Sequence, residues 1–429
     1  MSYFEAWQHY KTLTYDDLPE DVVTIANQCV LDWFGCAAVG SQEPLSEILR
    51  GQFGHRSGNC SVIGTDLKTE AATAALLNGA SGHALDYDDT GALTGCHSTA
   101  PVLPAALAVA QEMGATGQML ITAFVVGVEI EGRIFRLMGS DHYARGWHTT
   151  ATFGTFGATA AVAFLLGLTD AEFNVAMGLA ASHASGVKAN FGTMTKPYHP
   201  GRAAEDGVIC ARLAAAGFTA NPDAIVGSQG YIGAASNGQP PQAPATTDEW
   251  LIRGTLFKYH AACHLTHAAI ESVLSLKTQL SPAELSSMTI TVNPVLLGVC
   301  GIEEPKSGLE GKFSLRGTAS LALLGYDTAD PETYVDGVIS GEDVQSMIPK
   351  ITVETDKNLS QFQSRVVWVS ADQTAHDAFK DLSKPSGDLQ AQGEKLESKF
   401  KSLCALADVD SDQTLQKLQA LADQDAIAL

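Results

Sequence analysis

Four short stretches of the chain gather side chains that can move protons or hold charge. The first is His83-Ala84-Leu85-Asp86-Tyr87-Asp88-Asp89-Thr90, with His97 close behind. On a helix, His83 and Asp86, or Asp86 and Thr90, would share a face. Three carboxylates within four residues repel one another and need a cation, a proton or hydrogen bonds in return. The plain alternative is a helix end capped by aspartates between Gly79, Gly82 and Gly91. The second stretch is Arg145-Gly146-Trp147-His148-Thr149-Thr150, leading into an uncharged helix, where His148 is either a catalyst or a satisfied, half-buried residue. The third runs from Asn190 to His199 and on to Gly201 and Arg202. It sets Lys196 and Arg202 among glycines and small hydroxyls, as a cradle for a carboxylate would, or as a solvated basic loop. The fourth holds Lys258, His260, His264 and His267. These histidines stand at i, i+4 and i+7, which on a helix is one face and suits either a zinc site or a substrate-facing cluster.

Other matches carry little. Ser185-Gly186-Val187-Lys188 fits a serine acyl-transferase pattern without its companion motifs, and Gly154 to Gly157 lacks the rest of a dinucleotide fingerprint. No HExxH motif accompanies the three histidines, and no phosphate-binding P-loop is present.

The elements that must position these residues are mostly helical up to about residue 255. Apolar residues recur at helix spacing over 71–78, 104–113 and 174–182, and the many Gly and Ala residues predict helices whose backbones approach closely. Residues 217–250, rich in Gly, Pro, Asn and Gln, read as a long loop. Strand signals come later, at 288–293 (MTITVN), 350–354 (KITVE) and 365–370 (RVVWVS), with helical patterns at 315–324 and 341–347 between them. The tail 393–429 returns to helix, with Leu396, Phe400, Leu403 and Leu406 on one side. The expected fold is mainly α with an inserted α+β lid: a discontinuous helical domain of residues 1–258 and 393–429, and a lid of 259–392.

Composition narrows the function. In 429 residues, 45% are hydrophobic and only 17% charged, so the chain buries a large core or an interface rather than staying disordered. A formal net charge of -22 argues against nucleic acid or an anionic membrane as partner, because both need a positive field. The uncharged stretches 151–169 and 114–128 carry Gly and Thr and lack basic flanks, so they read as core helices rather than membrane spans. The eight scattered cysteines form no CxxC pair, and the first residues lack a basic, then apolar, leader. A cytoplasmic protein with reduced thiols is expected.

The stretches GHALDYDDT, HSTAPVLPAALA, GWHTTATFGTFGATAA, NFGTMTKPYHPGRAAEDG, FKYHAACHLTHAAIES and GKFSLRGTASLALL resemble, in order, those of the MmgE/PrpD family. That family includes 2-methylcitrate dehydratase, cis-aconitate decarboxylase and iminodisuccinate epimerase. The resemblance implies a helical domain with an α+β lid, a site between them, and a homodimer using neither metal nor organic cofactor. It places the site at Asp86, Thr90, His97, His148, Lys196 and Lys258, with a further histidine near Cys263 and His264. GWHTT and NFGTMTKP look closest to the epimerase branch.

The shared chemistry of that family is making or protonating a carbanion beside a carboxylate or imine, here on a small di- or tricarboxylate. Lys196, with Arg202 or Lys258, would bind carboxylates, and His260 and His264 would also face substrate. His148 and Lys196 would serve as base and returning acid, and Asp86 would orient His97. The leading expectation is a dehydratase-type lyase, followed by an epimerase and then a decarboxylase. A zinc-dependent hydrolase built on the three histidines is the competing class.

Overall fold

The computed structural model describes residues 2–139, 141–236, 246 and 248–427. The helices α1 (Tyr3–Tyr10), α2 (Glu20–Gly40), α3 (Pro44–Phe53), α4 (Ala71–Gly82), α5 (Thr99–Met113) and α6 (Gly117–Met138) come first. They are followed by α7 (Asp141–Ala144), α8 (Thr149–Leu165), α9 (Asp170–His183), α10 (Thr195–Ala215), α11 (Tyr231–Ala235) and α12 (His264–Lys277). Helix α8 contains no charged residue and is almost wholly buried, and α5, α6, α9 and α10 pack around it. A helix apolar on all sides can only sit at the centre of such a cluster. Helix α2 is long and apolar enough to cross a membrane, but 83% of its most apolar window is buried inside the fold, where it packs on α4 and the C-terminal helix Leu389–Leu406.

The close approach expected of glycine-rich helices is seen where α4 crosses α10. A methyl group on Gly201 would stand 2.4 Å from the Leu76 carbonyl oxygen, and one on Gly79 would stand 2.8 Å from the Gly201 Cα. The expected helical runs lie within α4, α5 and α9, each of which extends further than its apolar pattern.

Two short ladders interrupt the helical part, where no strand was expected: β1 (Cys60–Ser61) with β2 (Lys68–Thr69), and β3 (Thr90–Gly91) with β4 (Thr255–Leu256). Two-residue strands carry no alternation for a sequence to show. The expected loop over 217–250 contains α11, whose Tyr231 is buried, and its residues 237–245 and 247 lie outside the described residues.

The C-terminal part holds one sheet of β5 (Leu285–Val292), β6 (Ile351–Thr355), β7 (Gln363–Ser370) and β8 (Ala375–Asp381), in the order β6-β5-β7-β8. The β5–β6 pair is parallel and the other two are antiparallel. Met288, Ile290, Val366 and Trp368 line its buried face against α12 and the helix Leu315–Leu324. β8 is a fourth strand beyond the three expected. Its sequence AHDAFKD puts no buried residue on either face, so it lacks the apolar alternation that marks a strand. In the C-terminal helix Leu396, Phe400 and Leu403 are buried as expected, whereas Leu406 faces outward. Leu396, Phe400 and Cys404 join the main core of the helical part.

Candidate active site

Between the helical part and the sheet lies a cavity of about 380 Å³. Asp86, Thr90, His97, His148 and Lys196 line it from one side, and Cys263, His264, Phe313 and Phe362 from the other. The glycine crossing described above brings the C-terminal end of α4 against the N-terminal turn of α10. His83 follows the former and Lys196 opens the latter, and Lys196 Nζ lies 2.7 Å from His83 Nε2. Beyond His83 the chain does not continue as helix. It turns through Asp86, a non-glycine residue with φ of +52°, and reaches β3 at Thr90. The helical face expected for this stretch is therefore replaced by an irregular loop that aims Asp86 and Asp88 inward.

Donor and acceptor arithmetic fixes the protons of this loop. An ammonium only donates, so His83 Nε2 accepts from Lys196, and its Nδ1–H donates to Asp88 at 2.8 Å. A carboxylate only accepts, so His97 Nδ1–H donates to Asp88 Oδ2 at 3.1 Å and His97 Nε2 keeps a bare lone pair. That nitrogen lies 3.7 Å from Asp86 Oδ1. The same Asp86 oxygen takes Lys258 Nζ at 2.7 Å and Lys196 Nζ at 3.1 Å. Burial opposes ionisation of Asp86, but the two ammonium groups outweigh it and hold the carboxyl well below its ordinary range. Asp88 is likewise held well below, burial being overcome by the two imidazoles that face it. Burial pushes His97 down to about 3 despite Asp88, so it is neutral near pH 7.

On the adjoining wall, His148 precedes α8 and donates its backbone N–H to the Gly186 carbonyl. Its Nδ1 lies 3.0 Å from His199 Nδ1. Burial, then Lys196, drives His148 well below its usual value and His199 down to about 4, so this is a pair of neutral imidazoles in which one Nδ1–H donates to the other ring's Nδ1. Across the cavity, Thr90 Oγ1 meets His264 Nδ1 at 2.6 Å.

The structure thus brings Asp86, Thr90, His97, His148, Lys196 and His264 to one cavity, with Lys258 fully buried behind Asp86. Arg202 is not there. Its guanidinium pairs with Glu205 and Asp206 at 2.7 and 2.8 Å, with 42% of its side chain exposed. His260 is displaced as well, because α12 begins only at His264 and the expected common helical face fails at its first member. Its two ring nitrogens are taken by Thr328 and Glu271, and it lines a neighbouring cavity of about 230 Å³ that shares His264 with the first. The rings of His260, His264 and His267 do lie together, but both nitrogens of His260 are engaged and, among the described residues, the ligand atoms of the three do not converge as a zinc triad would need.

Among the described residues, the groups whose ligand atoms do converge are His83, Asp86, Asp88 and His97, all within 4.8 Å of one another. Lys196 and Lys258 already bring positive charge to that cluster, so its donor set does not suit a divalent cation. The sequence reading left Asp88, His83 and His199 without a site role. His83 and Asp88 were visible only as neighbours of Asp86, and nothing in the sequence pairs His199 with His148.

A lone-pair nitrogen held by a carboxylate, beside a buried ammonium, sets a candidate general base next to a fixed positive charge. The MmgE/PrpD N-terminal domain matches residues 8–244 and the MmgE/PrpD C-terminal domain matches residues 260–424. Cis-aconitate decarboxylase of Aspergillus terreus is 30% identical over 340 residues, covering 73% of this chain and 69% of that protein. Cis-aconitate decarboxylase of Homo sapiens is 26% identical over 383 residues, covering 85% of this chain and 79% of that protein. The cis-aconitate decarboxylase-like protein oryM of Aspergillus oryzae is 32% identical over 281 residues, covering 61% and 58%. With two family domains spanning nearly its whole length, the chain belongs to the MmgE/PrpD family.

Proposed function

We propose that this protein is a lyase that forms and protonates a carbanion next to a carboxylate of a small di- or tricarboxylate, using its own side chains. The observation that carries this reading is the Asp88–His97 pair, whose free Nε2 stands at the edge of the cavity together with the Lys196 ammonium. Lys196 binds a substrate carboxylate and stabilises the second negative charge that develops on it as electrons move toward an enediolate. His97 takes or returns the proton at carbon. The two carboxylates and two ammonium groups of the cluster nearly cancel. A polyanionic substrate therefore adds net negative charge, which raises the imidazoles from their depressed values and strengthens them as bases when substrate is bound.

The names of the relatives favour carbon dioxide as the leaving group. In that case the C–C bond breaks, its electron pair delocalises toward the neighbouring unsaturated acid, and a proton from an imidazolium or the Lys196 ammonium completes the product. A second reading, elimination of water, draws on the second imidazole in the cavity. His148, once the charge of the substrate has raised it to an imidazolium, would protonate the departing hydroxyl while neutral His97 takes the Cα proton.

Proton NMR of the purified protein in D₂O, with 2-methylcitrate, cis-aconitate and iminodisuccinate in turn, tests both. Release of carbon dioxide with deuterium in an unsaturated product supports decarboxylation, and new vinyl signals without carbon dioxide support dehydration. Deuterium at an inverted centre with neither would make the enzyme an epimerase, and an unchanged panel would sink the carboxylate reading.

A further inference from the structure

Three consecutive carbonyl oxygens of the site loop each accept from a different buried ammonium group. Lys312 Nζ reaches Leu85 O at 2.9 Å, Lys258 Nζ reaches Asp86 O at 2.6 Å, and Lys399 Nζ reaches Tyr87 O at 2.7 Å. The three lysines come from three separate segments. Lys258 follows β4, Lys312 precedes the helix Leu315–Leu324, and Lys399 lies in the C-terminal helix. We infer that Lys312 and Lys399 are positioning residues that, with Lys258, clamp residues 85–87 by the backbone and so set the aim of Asp86 and Asp88.

The loop needs such a device. Its left-handed turn at Asp86 takes it out of any helix or strand ladder, and buried carbonyls without a donor are costly. Burying an ammonium is costly too, which makes three of them on three successive residues a poor choice for mere filling. Lys312 and Lys399 do not line the cavity, so they touch no substrate there. Lys399 does more than hold Tyr87 O. It also donates to Asp32 Oδ1 at 2.6 Å and to the Lys258 carbonyl at 3.0 Å, and it sits 3.8 Å over the Tyr87 ring, which does not line the cavity.

Lys312 carries a second link. Its own carbonyl accepts the Cys263 N–H at 3.1 Å, one residue before His264, which in turn bonds Thr90. The loop is thereby tied at once to the sheet-bearing part and to the C-terminal helix, and it takes its working shape only when both are seated. Burial, opposed by Glu43 and Asp86, brings the Lys312 ammonium down to about 8, in keeping with a group held by one carbonyl and little else.

Two variants test this: Lys312→Met, and Lys399→Met combined with Asp32→Asn so that no carboxylate is stranded. This inference rests on the proposed acid–base role of the loop, so kcat and KM are read separately from the two imidazole Nδ1–H signals of His83 and His97 in protein labelled with ¹⁵N-histidine. We expect kcat to fall tenfold or more with KM within threefold, and both N–H signals to move in protein that is still folded. Folded variants with unmoved signals and kcat within twofold of the parent would overturn the clamp. Moved signals in a protein that turns over no carboxylate would count against the proposed function and for the clamp. Should neither variant fold, unaltered protein labelled with ¹⁵N-lysine decides. At least three slowly exchanging ammonium signals are expected, and fewer than three would end the idea.

Discussion

Replacing Asp88 by asparagine preserves the shape of the side chain and removes its ability to accept two imidazole N–H bonds at once. In the native loop it takes His83 Nδ1 at 2.8 Å and His97 Nδ1 at 3.1 Å. An amide offers one acceptor and one donor end. Lys196 fixes the His83 tautomer by donating to Nε2, so the asparagine oxygen goes to His83 and its amino group faces His97. His97 must then accept at Nδ1, its proton moves to Nε2, and the nitrogen at the cavity loses its lone pair. A histidine locked in the wrong tautomer by such an exchange costs on the order of 10⁴ in kcat, or about 5 kcal/mol of barrier at ~1.36 kcal/mol per tenfold.

The folded state suffers less. The charge-assisted bonds it loses contribute about 1.5–3 kcal/mol each, and the lost burial of a carboxylate offsets part of that. Asp88→Asn is therefore expected to fold, with Tm lowered by several degrees. Turnover followed by proton NMR gives kcat, and ¹⁵N shifts of His97 report which ring nitrogen carries the proton. A folded variant with kcat within tenfold of the parent, or with His97 Nε2 still unprotonated, would refute the assignment of His97 as the proton-transfer group.

The other expectations are briefer. Lys196→Met should lower kcat/KM by roughly 10²–10³, the usual loss when a charge-stabilising donor is removed, whereas Arg202→Met should leave it within threefold, because Arg202 pairs with Glu205 and Asp206 and does not line the cavity. Gly201→Ala forces a methyl group toward the Leu76 carbonyl, so it should lower Tm and, by widening the α4–α10 crossing that sets the Lys196–His83 contact, lower kcat as well. Glu131 is buried, with one carboxyl oxygen lacking a partner, and burial raises it to about 7. A raised carboxyl stabilises the fold below its unfolded value and loses that contribution as pH climbs through 7. Denaturant titrations of Glu131→Gln should therefore show the variant gaining about 3 kcal/mol on its parent between pH 4.5 and 8, and parallel pH curves for the two proteins would contradict this.

Much of the fold could be read from periodicity, and the failures share a cause. The helix at 315–324 and strands β5, β6 and β7 each present one apolar face, which a sequence displays. Strand β8 has no such face and went unread. Arg202 and Lys196 looked equivalent as two cations in one basic loop. Helix α10, however, begins at Thr195, so the two stand six residues apart at about 100° per residue, which turns them roughly 120° from each other and onto different faces. The histidine spacing misled in the reverse way, by assuming a helix four residues before α12 starts. His199, Lys312 and Lys399 act through partners that the fold brings in from afar, and spacing along the chain holds no record of those pairings, whereas Asp88 meets His83 and His97 of its own stretch only through an irregular turn that no periodicity announces.

That division follows from how the site is built. Side chains that face the cavity sit in short Gly- and Thr-rich stretches whose composition departs from the apolar helices around them, so they stand out. The groups that set their protonation are ordinary lysines, aspartates and histidines of other segments. Asp86 stays a carboxylate because Lys196 and Lys258 arrive from two different elements, and His97 shows a free nitrogen because Asp88 binds its other one. In a chain of net charge -22, buried cations are scarce, and several of them converge here. On the proposed function, an electroneutral, buried cluster of this kind leaves the histidines weak bases until a polyanionic substrate enters. The charge of the substrate then raises their basicity at the moment a proton has to move.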